Sequence, residues 1–181
     1  MISATALGDI VRQGMVLGTA TVWTGRTVGQ IGIVVSDLEA TASRFSAIWG
    51  NGPWRCYTYG PELLSEQIYR GRPTPFSVRI ALNSAEPQIE LLQPIAGPSV
   101  YHDWQQAHGE GVHHLAIHVE SLDAAIDSMR DAGLELLQLG RGFGVDGDGG
   151  FAYFDTEHQL GVVLEAIELP AHRREPELVI P

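Results

Sequence analysis

The sequence contains no lysine; all 11 of its basic residues are arginine. Without an ε-amine the chain can form no Schiff base and can set no P-loop lysine on a phosphate. Positive charge is scarce as well, with 11 basic against 22 acidic residues and a formal net charge of -11. Nucleic acid and anionic membrane surfaces both recruit dense positive charge, so neither is an expected partner. The single cysteine, Cys56, excludes a disulfide framework and a thiolate metal cluster, and it reads as a small buried apolar residue. No apolar run reaches the roughly 18 residues of a membrane span. Residues 1–18 lack the basic start and continuous apolar stretch of a secretory signal, so the expected location is the cytoplasm.

What is present is the composition of a globular domain, 44% hydrophobic and 18% charged. A chain of 181 residues can bury a core without covalent staples. Residues 1–27 are small, glycine-containing and weakly patterned, and read as an N-terminal extension with a short helix from Asp9 to Val16. Residues 170–181 are charged and proline-bounded, and read as a C-terminal tail.

Between these lies an internal repeat. Gln30 to Leu38 (QIGIVVSDL) sets against His114 to Leu122 (HLAIHVESL), each a β-type run closed by a polar step. A helix follows each: Ser36 or Asp37 caps Leu38 to Trp49, and Ser121 caps Leu122 to Ala132. Gly50 and Gly133 stand where helix-terminating glycines belong. Strand-like runs come next, at 54–59, 76–82 and 88–92 in the first copy and 135–140, 151–154 and 162–167 in the second. The spacing predicts an α+β fold: two βαβββ modules, 28–95 and 111–169, forming one curved mixed sheet around a cleft with the helices outside. The linker 96–110 carries a helix from Val100 to Ala107. A module of roughly 60 residues is marginal alone, so the pair, 28–169, is the single folding unit.

Period two decides which side chains share a face. His114, Ala116 and His118 share one face of their strand, while Leu115, Ile117 and Val119 face the helices. Gln30 and Gly32 occupy the matching face of the first copy. The last strand of each module holds one carboxylate amid apolar neighbours, Glu90 in QIELL and Glu165 in VVLEA. A carboxylate there is costly unless it is paired, hydrogen-bonded or bound to a metal. Each repeat therefore offers two candidates, Gln30 with Glu90 and His114 with Glu165. One imidazole, one amide oxygen and two carboxylates suit a divalent Zn, Ni, Co, Mn or Fe, without deciding among them. Any one of these residues alone reads more readily as structural; their matched places in a repeat point to a site.

These residues resemble the vicinal oxygen chelate superfamily, which includes glyoxalase I, methylmalonyl-CoA epimerase, extradiol dioxygenases and bleomycin-resistance proteins. The resemblance spans about residues 28–169 and is carried by 30–38, 89–94 (IELLQP), 111–119 (GVHHLAIHV) and 161–165. It is strongest to the glyoxalase I and methylmalonyl-CoA epimerase branch, which takes one ligand from each of these four places. It implies Gln30, Glu90, His114 and Glu165 as metal ligands, with His114 rather than His113 aligned to Gln30. Epimerases usually carry His where Gln30 stands; Gln there resembles some glyoxalase I enzymes. Extradiol dioxygenases use two His and one Glu on iron, so the missing first His argues against oxygen activation. One epimerase proton-transfer Glu falls near Arg79, which counts against a two-glutamate epimerase mechanism.

The resulting expectation is a metal-dependent lyase, isomerase or epimerase acting on a small organic substrate. A divalent metal polarises a carbonyl, and a carboxylate takes the proton from the neighbouring C–H. Glu165 is the first candidate base, Glu90 the second and His118 a proton relay. With lysine absent, Arg79, Arg70 and Arg72 are the candidates for holding an anionic substrate. Residues 69–73 read as a basic loop that could form a lid, and 140–150 as a flexible glycine-rich connection over the cleft. A metal-free ligand-binding protein of the antibiotic-resistance kind is the alternative, a ring-cleaving dioxygenase a third reading. Family habit adds a homodimer.

Overall fold

The computed structural model describes residues 23–181. The helix expected at Asp9 to Val16 lies outside them. The first module supplies β1 (Gln30–Val34), α1 (Leu38–Trp49), β2 (Trp54–Tyr59), β3 (Glu66–Tyr69), β4 (Arg72–Pro73), β5 (Ser77–Leu82) and β6 (Gln88–Ala96). Helix α2 (Val100–His108) connects to β7 (Gly111–Val119), α3 (Leu122–Asp131), β8 (Leu136–Arg141), β9 (Gly150–Phe154), α4 (Glu157–Leu160), β10 (Val163–Glu168) and β11 (Leu178–Ile180). The strands form one curved, unclosed sheet in the order β11-β2-β5-β6-β1-β7-β10-β9-β8-β3-β4. The α+β architecture of paired modules is the one read from the repeat.

Pairing at the centre fixes the symmetry. β6 lies parallel to β1 and β10 parallel to β7, while β1 and β7 run antiparallel. The modules are thus exchanged by an approximate two-fold axis through the β1–β7 seam. The helices form as their caps dictate. Asp37 accepts the Ala40 N–H at 3.0 Å to start α1, and Ser121 accepts the Ala124 N–H at 3.2 Å to start α3. Helix α1 buries Leu38 and Ala42 against Trp54, Ala81 and Leu91, and α3 buries Leu122, Ala125, Ile126 and Met129 against Ala152, Phe154 and Ala166. Each fully buried Leu or Met there contributes about 1.5–3 kcal/mol. The inner face is the more aromatic, with Tyr57, Tyr59, Phe76, Tyr101, Phe143, Phe151 and Tyr153 in one cluster.

Two segments differ from the sequence reading. Residues 69–73 are not a free lid. They turn the β3–β4 hairpin, which docks antiparallel on β8 at the end of the sheet. Arg70 and Gly71 both take positive φ, 47° and 75°, as a tight two-residue hairpin turn demands. A four-residue strand of the sequence Glu-Gln-Ile-Tyr carries too little alternation to stand out. Residues 170–181, expected as a terminal tail, return to the sheet, where β11 pairs antiparallel with β2 and buries Ile180. Glu177 fixes this return by accepting both the N–H and the hydroxyl of Thr58 at 2.8 Å. Its charged composition disguised the segment.

Candidate metal centre

The four candidates lie on adjacent strands, in two neighbouring rows of the sheet. Glu90, Gly32 and His114 are laterally paired across β6, β1 and β7; Gln30, Ala116 and Glu165 across β1, β7 and β10. The two-fold exchanges Gln30 with His114 and Glu90 with Glu165, so all four side chains share the inner face. The middle of each row is small. A Cβ at Gly32 would come 1.9 Å from His114 Cε1, so the imidazole occupies the space that only glycine leaves.

His114 Nε2 lies 3.0 Å from Glu165 Oε2 and 3.4 Å from Glu90 Oε2. Ligand atoms of Glu90, His114 and Glu165 fall within 4.8 Å of one another. The 3.0 Å contact is badly angled, and both His114 Nε2 and Glu165 Oε2 are buried without a hydrogen-bond partner. Gln30 Oε1 is a third such atom. A relay sets the Gln30 amide. Gln88 Nε2 donates to the Asn83 carbonyl at 2.9 Å, so Gln88 Oε1 accepts from Gln30 Nε2, also at 2.9 Å. Gln30 Oε1 is left bare. Buried polar atoms without partners are rare and costly, and the lone pairs here belong to one nitrogen and several oxygens. This donor set fits a divalent cation.

His113, not singled out from the sequence, orients His114. Their Nδ1 atoms are 3.0 Å apart. The His113 ring is packed edge-on to Tyr101 and Trp104 and tilted against Tyr153, with centroids 5.8, 5.3 and 5.6 Å away. Burial, then the charge of His114, holds His113 well below the ordinary imidazole pKa. A neutral His113 accepts the His114 Nδ1–H, so Nε2 is the His114 nitrogen that faces the carboxylates and would bind an ion on losing its proton.

A family model for the glyoxalase/bleomycin resistance protein/dioxygenase superfamily matches residues 29–154. The chain belongs to this superfamily. No curated protein matches it significantly. Among solved structures, a hypothetical protein from Bacillus halodurans C-125 is similar at TM-score 0.59 and 21% identity, covering 84% of this chain and 100% of that one. A variant methylmalonyl-CoA epimerase of Streptomyces coelicolor in complex with 2-nitronate-propionyl-CoA is similar at TM-score 0.57 and 22% identity, covering 82% and 98%. The methylmalonyl-CoA epimerase of Mycobacterium tuberculosis has TM-score 0.52 and 27% identity, over 78% and 86%. The vicinal oxygen chelate fold that the resemblance implies is the fold these structures share.

Within this fold the remaining sequence candidates disperse. Arg79 faces the outer, helix-bearing side and bonds Glu39 of α1 at 2.8 Å. Arg70, at the hairpin tip, is bound to Asp103 of α2 at 2.8 Å, and Arg72 is exposed. None of the three reaches the cluster, because β-strand parity and the β3–β4 hairpin turn them elsewhere. His118 lies against Gly29 on the rim, two rows from His114, where burial and then Arg173 lower its pKa. It does not enter the donor group. The arginine beside the cluster is Arg173, in the returning tail.

The cavity over the donors is small, about 20 Å³. Gln30, Glu90 and Glu165 line it with Tyr59, Tyr101, Phe143, Phe151, Tyr153, Ile80, Ile167 and Arg173. A larger groove, about 600 Å³, lies on another flank beside α2, where Arg70, Trp104 and His113 contribute to its wall. Phe143 comes from the glycine-rich connection between β8 and β9, which reaches over the cleft.

Two expected outcomes arise here. Gly32→Ala drives a methyl into the His114 ring. It is expected to cost about 1–3 kcal/mol in chemical denaturation, as overpacking does, and to lower metal affinity. The second concerns pH. Burial pulls the His114 pKa down, but Glu165 and Glu90 outweigh it, raising the metal-free group from 6.5 to about 9. A raised folded-state pKa gives stability that is full below pH 6.5 and is lost as pH rises through about 9. The melting temperature of the metal-free protein should therefore fall between pH 7 and pH 9.5. His114→Ala should remove that fall.

Proposed function

We propose that the chain is a metal-dependent lyase, isomerase or epimerase that transfers a proton at the carbon beside a carbonyl. The single observation that carries the proposal is the buried group of Glu90, His114 and Glu165, whose ligand atoms lie within 4.8 Å of one another, with Gln30 lining the same cavity as the two glutamates. Gln30, Glu90, His114 and Glu165 would hold a divalent ion, which as a Lewis acid polarises a carbonyl oxygen.

The chain's own residues supply the rest. Burial lifts the Glu165 carboxyl above the ordinary carboxylate range, against the pull of His114. That rise belongs to the metal-free chain; a cation beside the carboxylate would oppose it, so Glu165 would take the C–H proton, and return it, on moving off the ion. Glu90, across the two-fold, is the second base. Gln30 stays neutral and fixed through Gln88, so it binds without competing for the proton. The walls of Tyr59, Phe143, Phe151 and Tyr153 exclude bulk water and strengthen the local electrostatics. A metal-free binding protein would gain nothing from burying two carboxylates and an imidazole against one another.

One methylmalonyl-CoA epimerase neighbour is in complex with 2-nitronate-propionyl-CoA and another with methylmalonyl-CoA, so an acyl thioester is the first substrate class to test. A hemithioacetal of a 2-oxoaldehyde is the second. The protein should be supplied in turn with Zn, Ni, Co, Mn and Fe(II) and incubated with each substrate in deuterated water. The expected result is enzyme-dependent exchange of the hydrogen beside the carbonyl in proton NMR, abolished by a chelator. No exchange with any metal on either class would overturn the proposal.

A further inference from the structure

Residues 170–181 cross the mouth of the cleft as a strap with anchors at both ends. At the second-module end, the Ala171 N–H donates to Asp148 at 2.6 Å, Val145 N–H to the His172 carbonyl at 2.9 Å, and Arg174 Nε to the Gly144 carbonyl at 3.2 Å. At the first-module end, Glu177 holds Thr58 and β11 pairs with β2. Between the anchors, Arg173 turns inward to the cavity that holds Gln30, Glu90 and Glu165. It donates to the Tyr59 hydroxyl at 3.1 Å and lies over the Tyr57 and Phe143 rings at 5.8 and 5.4 Å. It makes no ion pair within 4.0 Å among the described residues. A guanidinium has five donors, so one bond to Tyr59 leaves most of its fork free.

We infer that Arg173 is the residue that receives the charged group of a carboxylate-bearing carbonyl substrate, and that the strap must swing aside to admit it. The inference rests on the proposed function for the carbonyl half of the ligand. The charge balance supports it. A divalent ion would neutralise the carboxylates of Glu90 and Glu165, leaving the Arg173 cation without a counter-charge in an aromatic-walled cavity. An anion one or two bonds from the carbonyl restores the balance, and a planar guanidinium binds a carboxylate through two parallel bonds. Space requires the movement, because about 20 Å³ holds little more than one water. Arg79, Arg70 and Arg72 are engaged elsewhere or exposed, and Arg173 is the one arginine among the described residues that lines this cavity.

The test is calorimetric titration with malonate, and with uncharged malonamide as control, on metal-free and metal-loaded protein. Wild type should bind malonate in both forms, more tightly when loaded. Arg173→Met should weaken malonate at least tenfold in both forms, leaving metal content and melting temperature unchanged, while Arg173→Lys recovers part of the loss. Malonamide should show no dependence on Arg173. Glu177→Ala, which frees one anchor, should speed malonate association in stopped flow. Equal malonate affinity for wild type and Arg173→Met, or no malonate binding by wild type, would overturn the inference. Arg173-dependent malonate binding by a chain that retains no ion after dialysis against any of the five metals would instead keep the anion site and overturn the proposed metal chemistry.

Discussion

Glu165→Gln should reduce proton transfer by about 10²–10⁴-fold, the range for loss of a positioned general base, while the protein still binds a metal ion. Glutamine keeps a carbonyl oxygen where the carboxylate oxygen stood, and Gln30 is the amide-oxygen member of the same donor set. What disappears is the proton acceptor. Burial raises the Glu165 pKa and His114 opposes the rise, so the variant also removes one charge from a crowded pair. Glu90→Gln provides the comparison. If Glu165 is the base, the Glu90 variant keeps much more activity; the reverse order would move the base to Glu90. Exchange rates in deuterated water measure both.

His114→Ala should have the larger effect on binding. It removes the nitrogen donor, leaves Glu90 and Glu165 facing each other without an intervening imidazole, and opens a void beside Gly32. Losing only a residue that orients a ligand commonly costs 10–100-fold in metal affinity, so loss of the ligand itself should exceed ~100-fold. His113→Phe tests the orienting contact alone. It preserves the packing against Tyr101, Trp104 and Tyr153 but removes the Nδ1 acceptor. An intermediate drop in affinity is expected, read by competition with a chromophoric chelator.

The repeat made the fold legible because its signals are local. Asp37 and Ser121 cap helices within three residues of themselves, and Glu90 and Glu165 each stand alone between apolar neighbours, in IELL and VLEAI. Those two acids and the matched pair Gln30 and His114 could be found by alignment of one half with the other. The residues that hold the donors in place could not. Gln88 acts through Gln30 and Asn83, and His113 through His114. Both depend on atoms placed by the sheet, although the doubled histidine was itself a visible signal. Strand parity sends the Arg79 side chain to Glu39 on the outer face, an ion pair that the residue type alone does not distinguish from a substrate contact. Arg173 was hidden by composition: a run of charge between two prolines reads as a solvated tail, and only the pairing of β11 with β2 carries it across the cleft.

Metal content tests the central claim most directly. Wild type and the His114→Ala/Glu165→Ala double variant should be dialysed against each divalent metal, then against metal-free buffer, and analysed by plasma emission. The account predicts close to one equivalent retained per wild-type chain and almost none by the double variant, with both folded by circular dichroism. A wild-type chain that retains no ion, or a double variant that retains as much, would contradict it.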